Sequence, residues 1–296
     1  MDESALTRRR LLQLAGAAAG MSAATACTPF PPFPAPVPLP GYTRPTAAPG
    51  PGGPPRVVVR TGQFDSAYRP GVTTHWSLAA PHQRDGAQLP LVPLAVFLHG
   101  LGSSHGFLLE GLAAHEVLQG HMDGGGTPFA IAAVDGGDTW WHARRDGSDT
   151  QSMLVREFIP FLGGEGFDLG RIGLFGLSMG GFGALLLASQ ARLPGIRAVA
   201  AMSPAVWADY DARMESAFDS PADFAVNDVF ALRPRLAAIP KRIDCGTDDE
   251  LAATVRDYVS ALPGRVEGGF QPGGHDSVYW RSVLPEVLSF LGRNLG

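Results

Sequence analysis

The stretch from Arg171 to Ala184 constrains this chain more than any other. An apolar run, Ile172-Gly173-Leu174-Phe175, enters Gly176-Leu177-Ser178-Met179-Gly180, and an alanine- and leucine-rich run follows. A serine presented as a nucleophile needs this context. It must sit on a strand-to-helix turn so tight that its backbone is strained and its hydroxyl is thrust clear of the sheet. The residues two before and two after it must then be nearly free of side chain, as Gly176 and Gly180 are. Its hydroxyl lies above the N-terminus of the next helix, where backbone N–H groups can meet a developing negative charge. In a chain with 38 glycines the pattern alone can arise by chance. The flanking strand and helix give it weight.

A length of 296 residues with 45% apolar content is enough to bury a sizeable core. From about Arg56 short apolar runs alternate with helical patterns. Residues 57–59 and 73–79 read as opening strands, paired antiparallel. Residues 94–98, 129–134, 171–175, 198–202, 242–245 and 266–270 read as further strands. Helices are expected at roughly 106–119, 150–162, 179–190, 249–261 and 278–293. This alternation predicts an α/β domain over residues 56–296, a mainly parallel sheet with helices on both faces. Residues 207–238 are less regular and are expected to pass over the carboxyl edge of the sheet, where ligands bind in such folds. No internal repeat is present. The net charge of −5, with no basic run beyond the first ten residues, excludes a nucleic-acid partner.

Residues 1–27 read as an address. Thr7-Arg8-Arg9-Arg10-Leu11-Leu12 resembles the twin-arginine export signal. The uncharged run that follows to Ala26 is about 16 residues, short of the ~20 a spanning helix needs but suited to a signal peptide. Ala24-Thr25-Ala26-Cys27 looks like a lipoprotein cleavage box with Cys27 as the lipidated residue, although leucine is more usual where Ala24 stands. The alternative for Cys27 is an ordinary small residue near a simple cleavage site. Residues 28–55 hold 12 of the chain's 26 prolines and are expected to form an extended spacer. The expectation is an exported protein, either extracellular or held at the cell envelope through Cys27. With only Cys27 and Cys245, no disulfide framework is expected.

A serine is a poor nucleophile at neutral pH, so it needs a base, and the base needs an orienting carboxylate. Where the nucleophile sits on a strand-to-helix elbow, the chain order is serine, acid, histidine. Of eight histidines only His275 follows Ser178, in the loop Gly273-Gly274-His275-Asp276. The acid is less constrained, because 14 carboxylates follow Ser178. The best setting is a strand end, Cys245-Gly246-Thr247-Asp248-Asp249-Glu250. Asp249 is the first choice there and Asp248 the second, Asp248 and Glu250 both being suited to a helix start. The Met179 and Leu101 amides are the expected oxyanion donors, Leu101 lying in His99-Gly100-Leu101-Gly102 after a central strand. His99 precedes Ser178 and ends a strand, which fits a hydrogen-bonded structural histidine. Trp140 and Trp141 either plug the core or wall the acyl site, and are candidate substrate-binding residues. Asp135, Asp138 and His142 lack a recognised ligand spacing, so no metal site is expected.

With these residues placed, the chain from about residue 56 onward resembles the esterase D family of the α/β-hydrolases. That family includes S-formylglutathione hydrolase, feruloyl-esterase-like enzymes and the mycobacterial mycolyltransferases. The likeness is carried by Phe97-Leu98-His99-Gly100-Leu101-Gly102, Asp135-Gly136-Gly137, Gly176 to Gly181, Ser203-Pro204, Cys245 to Asp249, and Gly274-His275-Asp276 with Tyr279-Trp280. It implies the α/β-hydrolase fold and ester hydrolysis without a cofactor through an acyl-enzyme on a Ser178-Asp249-His275 triad. It also favours Asp249, the acid usually being the third residue after the glycine that closes its strand. The expected partner is a small-molecule or lipid ester. The alternatives are acyl transfer to a sugar or other alcohol, as in the mycolyltransferases, and a non-catalytic envelope-binding role. The mycolyltransferases generally carry glutamate as the acid, so Asp249 points toward a hydrolase.

Overall fold

The computed structural model describes residues 55–82, 89 and 91–296. The export signal at 1–27, Cys27 and, apart from Pro55, the proline-rich segment at 28–55 lie outside the described residues.

The first two strands are β1 (Arg56–Asp65), exposed along much of its length, and β2 (Thr73–His82), buried from Trp76 to Pro81. Continuous apolar runs, the mark of strands covered on both faces, build β3 (Val92–Leu98) and β4 (Ala130–Val134). The remaining strands are β5 (Phe167–Leu177), β6 (Ile196–Met202), β7 (Lys241–Gly246) and β8 (Val266–Gln271). They form one sheet in the order β1-β2-β4-β3-β5-β6-β7-β8. β1 and β2 pair antiparallel with each other, as β2 does with β4, and every later pairing is parallel. The carboxyl ends of β3, β5, β6 and β7 therefore share one edge.

The helices are α1 (Ala114–Asp123), α2 (Thr150–Met153), α3 (Ile159–Gly164), α4 (Met179–Ser189), α5 (Pro221–Asn227), α6 (Val229–Leu232), α7 (Ala252–Ser260) and α8 (Ser277–Leu295). α1 and α8 cover one face, over Ala95, Phe97 and Phe175. α4 is buried along its whole length on the other, over Leu94, Val96, Ile172 and Leu174. Adjacent residues of β3 alternate between these two cores, which fixes its register. Among the described residues no helix is long and apolar enough to cross a membrane.

Two expected helices differ from the sequence reading. The pattern at 106–119 is a 3₁₀ turn at His105–Leu108 and then α1, separated by Ala113 in a left-handed conformation with φ 50°. Gly106 and Gly111 weaken helix propagation there, although Phe107, Leu108 and Leu112 keep a helical spacing. The pattern at 150–162 is interrupted by a wider π-helical turn at Leu154–Phe158. Pro160 follows within two residues; it lacks an N–H and crowds the carbonyl four positions back, which widens the turn. Residues 207–238 carry only short helices, α5 and α6, and 3₁₀ turns.

Candidate active site

β5 ends at Leu177 and α4 begins at Met179, so Ser178 carries the whole reversal with φ 53° and ψ −120°. A non-glycine residue reaches this region only when its surroundings enforce it. Here they do. The Ser178 N–H donates to the Met202 carbonyl at 3.0 Å, and the Ser178 carbonyl accepts from Phe182 at 3.0 Å and Ala205 at 3.1 Å. A Cβ on Gly180 would overlap the Leu98 carbonyl, and one on Gly176 would overlap Gly180. Gly180→Ala is therefore expected to cost at least about 3 kcal/mol, read as a lowered urea midpoint, since backbone rather than a flexible side chain blocks the space. A wild-type midpoint would contradict this packing.

Beyond β7 the acid loop and the histidine loop are laced together. Thr247 N–H donates to the Gln271 carbonyl at 2.8 Å and Asp248 N–H to the Gly273 carbonyl at 3.0 Å. Gly246 permits this, because a Cβ there would collide with the Gly273 carbonyl. The lacing carries His275 over Asp249, and His275 Nδ1 lies 2.9 Å from Asp249 Oδ2. The Asp249 side chain is 0% exposed and the His275 ring 25%. The second carboxylate oxygen accepts from the Leu251 N–H at 2.8 Å. Burial opposes the charge on Asp249, but the bonds from His275, Leu251 and Ser203 outweigh it and hold the carboxyl below its usual range. The helix-capping role foreseen for Asp248 is not filled, since no side chain caps α7, and Asp248 is exposed.

The loop after β3 runs beside the serine. A Cβ on Gly100 would lie 3.6 Å from Ser178 Cβ. Asp138 accepts from the Gly102 N–H at 2.7 Å, and Asp135 accepts from the His105 N–H at 2.7 Å. These carboxylates, weighed in the sequence as metal ligands, pin the loop just after Leu101, at Gly102 and His105. Among the described residues neither the Leu101 nor the Met179 N–H donates to a protein acceptor. Met179 is the first residue of α4, where such N–H groups point outward. Among the described residues no group of three or more His, Cys, Asp or Glu side chains is placed to hold a metal ion.

His99 is buried. Its Nδ1 bonds the Gly100 carbonyl at 2.8 Å and its Nε2 accepts from the Gly136 N–H at 2.9 Å. That pairing assigns the neutral ring with its proton on Nδ1. Burial lowers its pKa further, only partly offset by Gly100, Asp135 and Asp138. Trp140 and Trp141 are each 1% exposed, with φ of 58° and 59°. Trp141 donates to the His99 carbonyl at 3.1 Å and packs on Gly136 and Gly183; Trp140 packs on Phe182 and Trp207. Of the two placements open to them, the structure puts both indoles in the core beneath the site.

Ser178 is half-buried, and no hydrogen bond joins its hydroxyl to His275. Catalytic hydrogen bonds are often long in a free enzyme and tighten around substrate. Two residues without an assigned role in the sequence are joined beside His275. Trp280 packs edge-on to the His275 ring, centroids 5.2 Å apart, and its indole N–H donates to Ser203 Oγ at 3.1 Å. Their only sequence signal was their place in the Ser203-Pro204 and Tyr279-Trp280 motifs.

No protein-family model and no curated protein sequence matches the chain. Solved structures do. A ferulic acid esterase superposes with a TM-score of 0.68 at 22% identity, over 81% of this chain and 99% of that one. FphF, a fluorophosphonate-binding serine hydrolase of Staphylococcus aureus, gives 0.66 at 15% identity, over 80% and 98%. An S-formylglutathione hydrolase from Agrobacterium tumefaciens gives 0.64 at 18% identity, over 81% and 96%. The fold is that of the α/β-hydrolases.

Proposed function

We propose that this chain is a serine esterase that cleaves carboxylic esters through an acyl-enzyme on Ser178. The observation that carries this reading is the 2.9 Å contact of His275 Nδ1 with the buried carboxylate of Asp249, on the sheet edge where Ser178 is held in its strained turn. With Nδ1–H given to Asp249, the free Nε2 is the basic nitrogen. It takes the proton of Ser178 as Oγ attacks the ester carbonyl. The carbonyl oxygen becomes an oxyanion held by the Leu101 and Met179 N–H groups, neither of which donates to a protein acceptor among the described residues. His275 Nε2–H then protonates the departing alcohol oxygen, leaving the acyl group on Ser178 Oγ. Water enters, gives its proton to Nε2, and the second collapse releases the acid and restores the serine.

The likeness to a ferulic acid esterase and an S-formylglutathione hydrolase supports acyl esters and thioesters as the substrate class. Export through the Arg8-Arg9 signal and attachment at Cys27 would place this chemistry at the cell envelope. The test is hydrolysis of p-nitrophenyl esters of graded acyl length and of methyl ferulate by the metal-chelated protein, with product analysis in the presence of a sugar acceptor. Free acid as the main product is expected. An acylated sugar as the main product would make the protein a transferase, and no turnover of any ester would remove the reading.

A further inference from the structure

The Leu101 N–H can serve an oxyanion only if its peptide plane is aimed, and that plane can be aimed from its other end. The Gly100 carbonyl and the Leu101 N–H belong to one rigid peptide, and no cis bond occurs among the described residues. In a trans peptide the C=O and N–H point in opposite directions, so whatever holds the Gly100 oxygen also directs the Leu101 N–H. Two donors hold that oxygen. One is the Ser103 N–H at 3.2 Å, which closes the turn from Gly100 to Ser103 and moves with it. The other is His99 Nδ1–H at 2.8 Å. The His99 ring lies outside the turn and is anchored elsewhere. It is buried, meets the Trp141 indole edge-on with centroids 5.0 Å apart, and accepts the Gly136 N–H on Nε2 at 2.9 Å. The His99 carbonyl accepts from Trp141 at 3.1 Å, which fixes the preceding peptide plane as well. An apolar side chain could fill this space without any need for partners. Imidazole adds one thing, a ring that accepts on one nitrogen and donates from the other. Each link from Gly136 through the ring to Gly100 polarises the next, which makes the Leu101 N–H a better donor.

We propose that His99 is a positioning residue for the oxyanion hole: its Nδ1–H holds the Gly100 carbonyl and thereby aims the Leu101 N–H at the oxygen that gains charge during acyl transfer. The proposal rests on the esterase reading above, in which Leu101 is an oxyanion donor, and extends it to what directs that donor. The plane stands beside the nucleophile, since a Cβ on Gly100 would lie 3.6 Å from Ser178 Cβ. The far side of the turn is held separately, by Asp138 accepting from the Gly102 N–H at 2.7 Å. Freeing the Gly100 carbonyl would therefore leave the loop in place and let this one plane rock. The loss falls on kcat rather than KM, because the donor matters most when the carbonyl oxygen carries full charge.

The experiment compares His99→Asn with His99→Gln by kcat, KM and thermal melting. The asparagine NH₂ takes the place of Nδ1 and keeps the donor to Gly100, while the Gly136 N–H loses its acceptor. The glutamine carbonyl takes the place of Nε2 and keeps that acceptor, while Gly100 loses its donor. Each variant gives up one buried bond, so a histidine that only supports the fold would lose about as much either way. The expected result is a kcat lowered roughly 10- to 100-fold in His99→Gln, part of the about 10²–10³ that a lost oxyanion donor costs, with KM within about threefold. His99→Asn is expected to keep kcat within about threefold of wild type, even where its melting temperature falls. If His99→Gln does not fold, His99→Leu, which has the shape of asparagine without its donor, takes its place. Nitrogen NMR of the wild-type imidazole checks the same bond without a variant: the Nδ1–H tautomer is expected, and an Nε2–H tautomer overturns the proposal. Equal kcat with and without the donor, or a lower kcat in His99→Asn, also overturns it. If Ser178→Ala is inactive while the His99 variants are equal, only the role of His99 falls. If Ser178→Ala remains active, the esterase reading itself falls.

Discussion

Ser178→Ala is expected to lower ester turnover by about 10⁶-fold while leaving the protein folded. The size of the effect follows from what the site contains. Among the described residues the one cysteine, Cys245, is not ready to take over, because it is buried and its thiol is raised to about 12, leaving negligible thiolate at neutral pH. The base and the acid act on the serine alone, so without Oγ their contact at 2.9 Å has nothing to activate. What remains is substrate binding and the two N–H groups of Leu101 and Met179, which can still polarise a carbonyl toward water. That residue of catalysis is worth about 10³–10⁴ over the uncatalysed reaction. Folding should survive, since alanine keeps the same backbone demands at φ 53° and the hydroxyl makes no bond that holds the turn. Steady-state kinetics with a p-nitrophenyl ester, alongside a thermal melt, checks both halves of the expectation.

Asp249→Asn is expected to lower kcat by about 10⁴-fold with KM little changed. The reason is a tautomer. Asp249 offers two acceptor oxygens, one taken by the Leu251 N–H at 2.8 Å and the other facing His275 Nδ1 at 2.9 Å. Asparagine has one oxygen and one NH₂. The backbone N–H cannot adapt, so the oxygen stays with Leu251 and the NH₂ turns toward the imidazole. The ring then accepts at Nδ1 and carries its proton on Nε2, where it cannot take the proton of Ser178. The same substitution should change the acid limb of stability. The folded pKa of Asp249 lies below its unfolded value, so its contribution is fully present above the unfolded pKa and is lost as the pH falls through the folded one. The asparagine variant should lose that part of the pH dependence, measurable by urea melts from neutral to strongly acid pH. A variant with wild-type kcat would remove Asp249 from the mechanism.

Much of this site was legible in the sequence because its parts are local. The apolar run at 171–175 and the flanking glycines are visible without a fold, and β5, Ser178 and α4 stand where that pattern put them. His275 was legible by elimination, as the one histidine after Ser178. The preference for Asp249 over Asp248 leaned on the family resemblance, since both follow Gly246 and both can begin a helix. Burial separates them, and burial arises only when Gly273 crosses over Gly246. Trp140 and Trp141 remained open for a similar reason. Their successive left-handed conformations turn both rings inward, beneath His99 and against Phe182, which composition cannot announce. The bond between Ser203 and Trp280 is the extreme case, a contact across the sheet between residues with no local pattern linking them.

The account depends most directly on which atom is the nucleophile. Treating the protein with a fluorophosphonate at neutral pH and mapping the adduct by peptide mass spectrometry reads that atom. The expected result is one adduct per chain, on Ser178, absent from the Ser178→Ala variant and slowed in Asp249→Asn. An adduct on another residue, or equal labelling of Ser178→Ala, would contradict it.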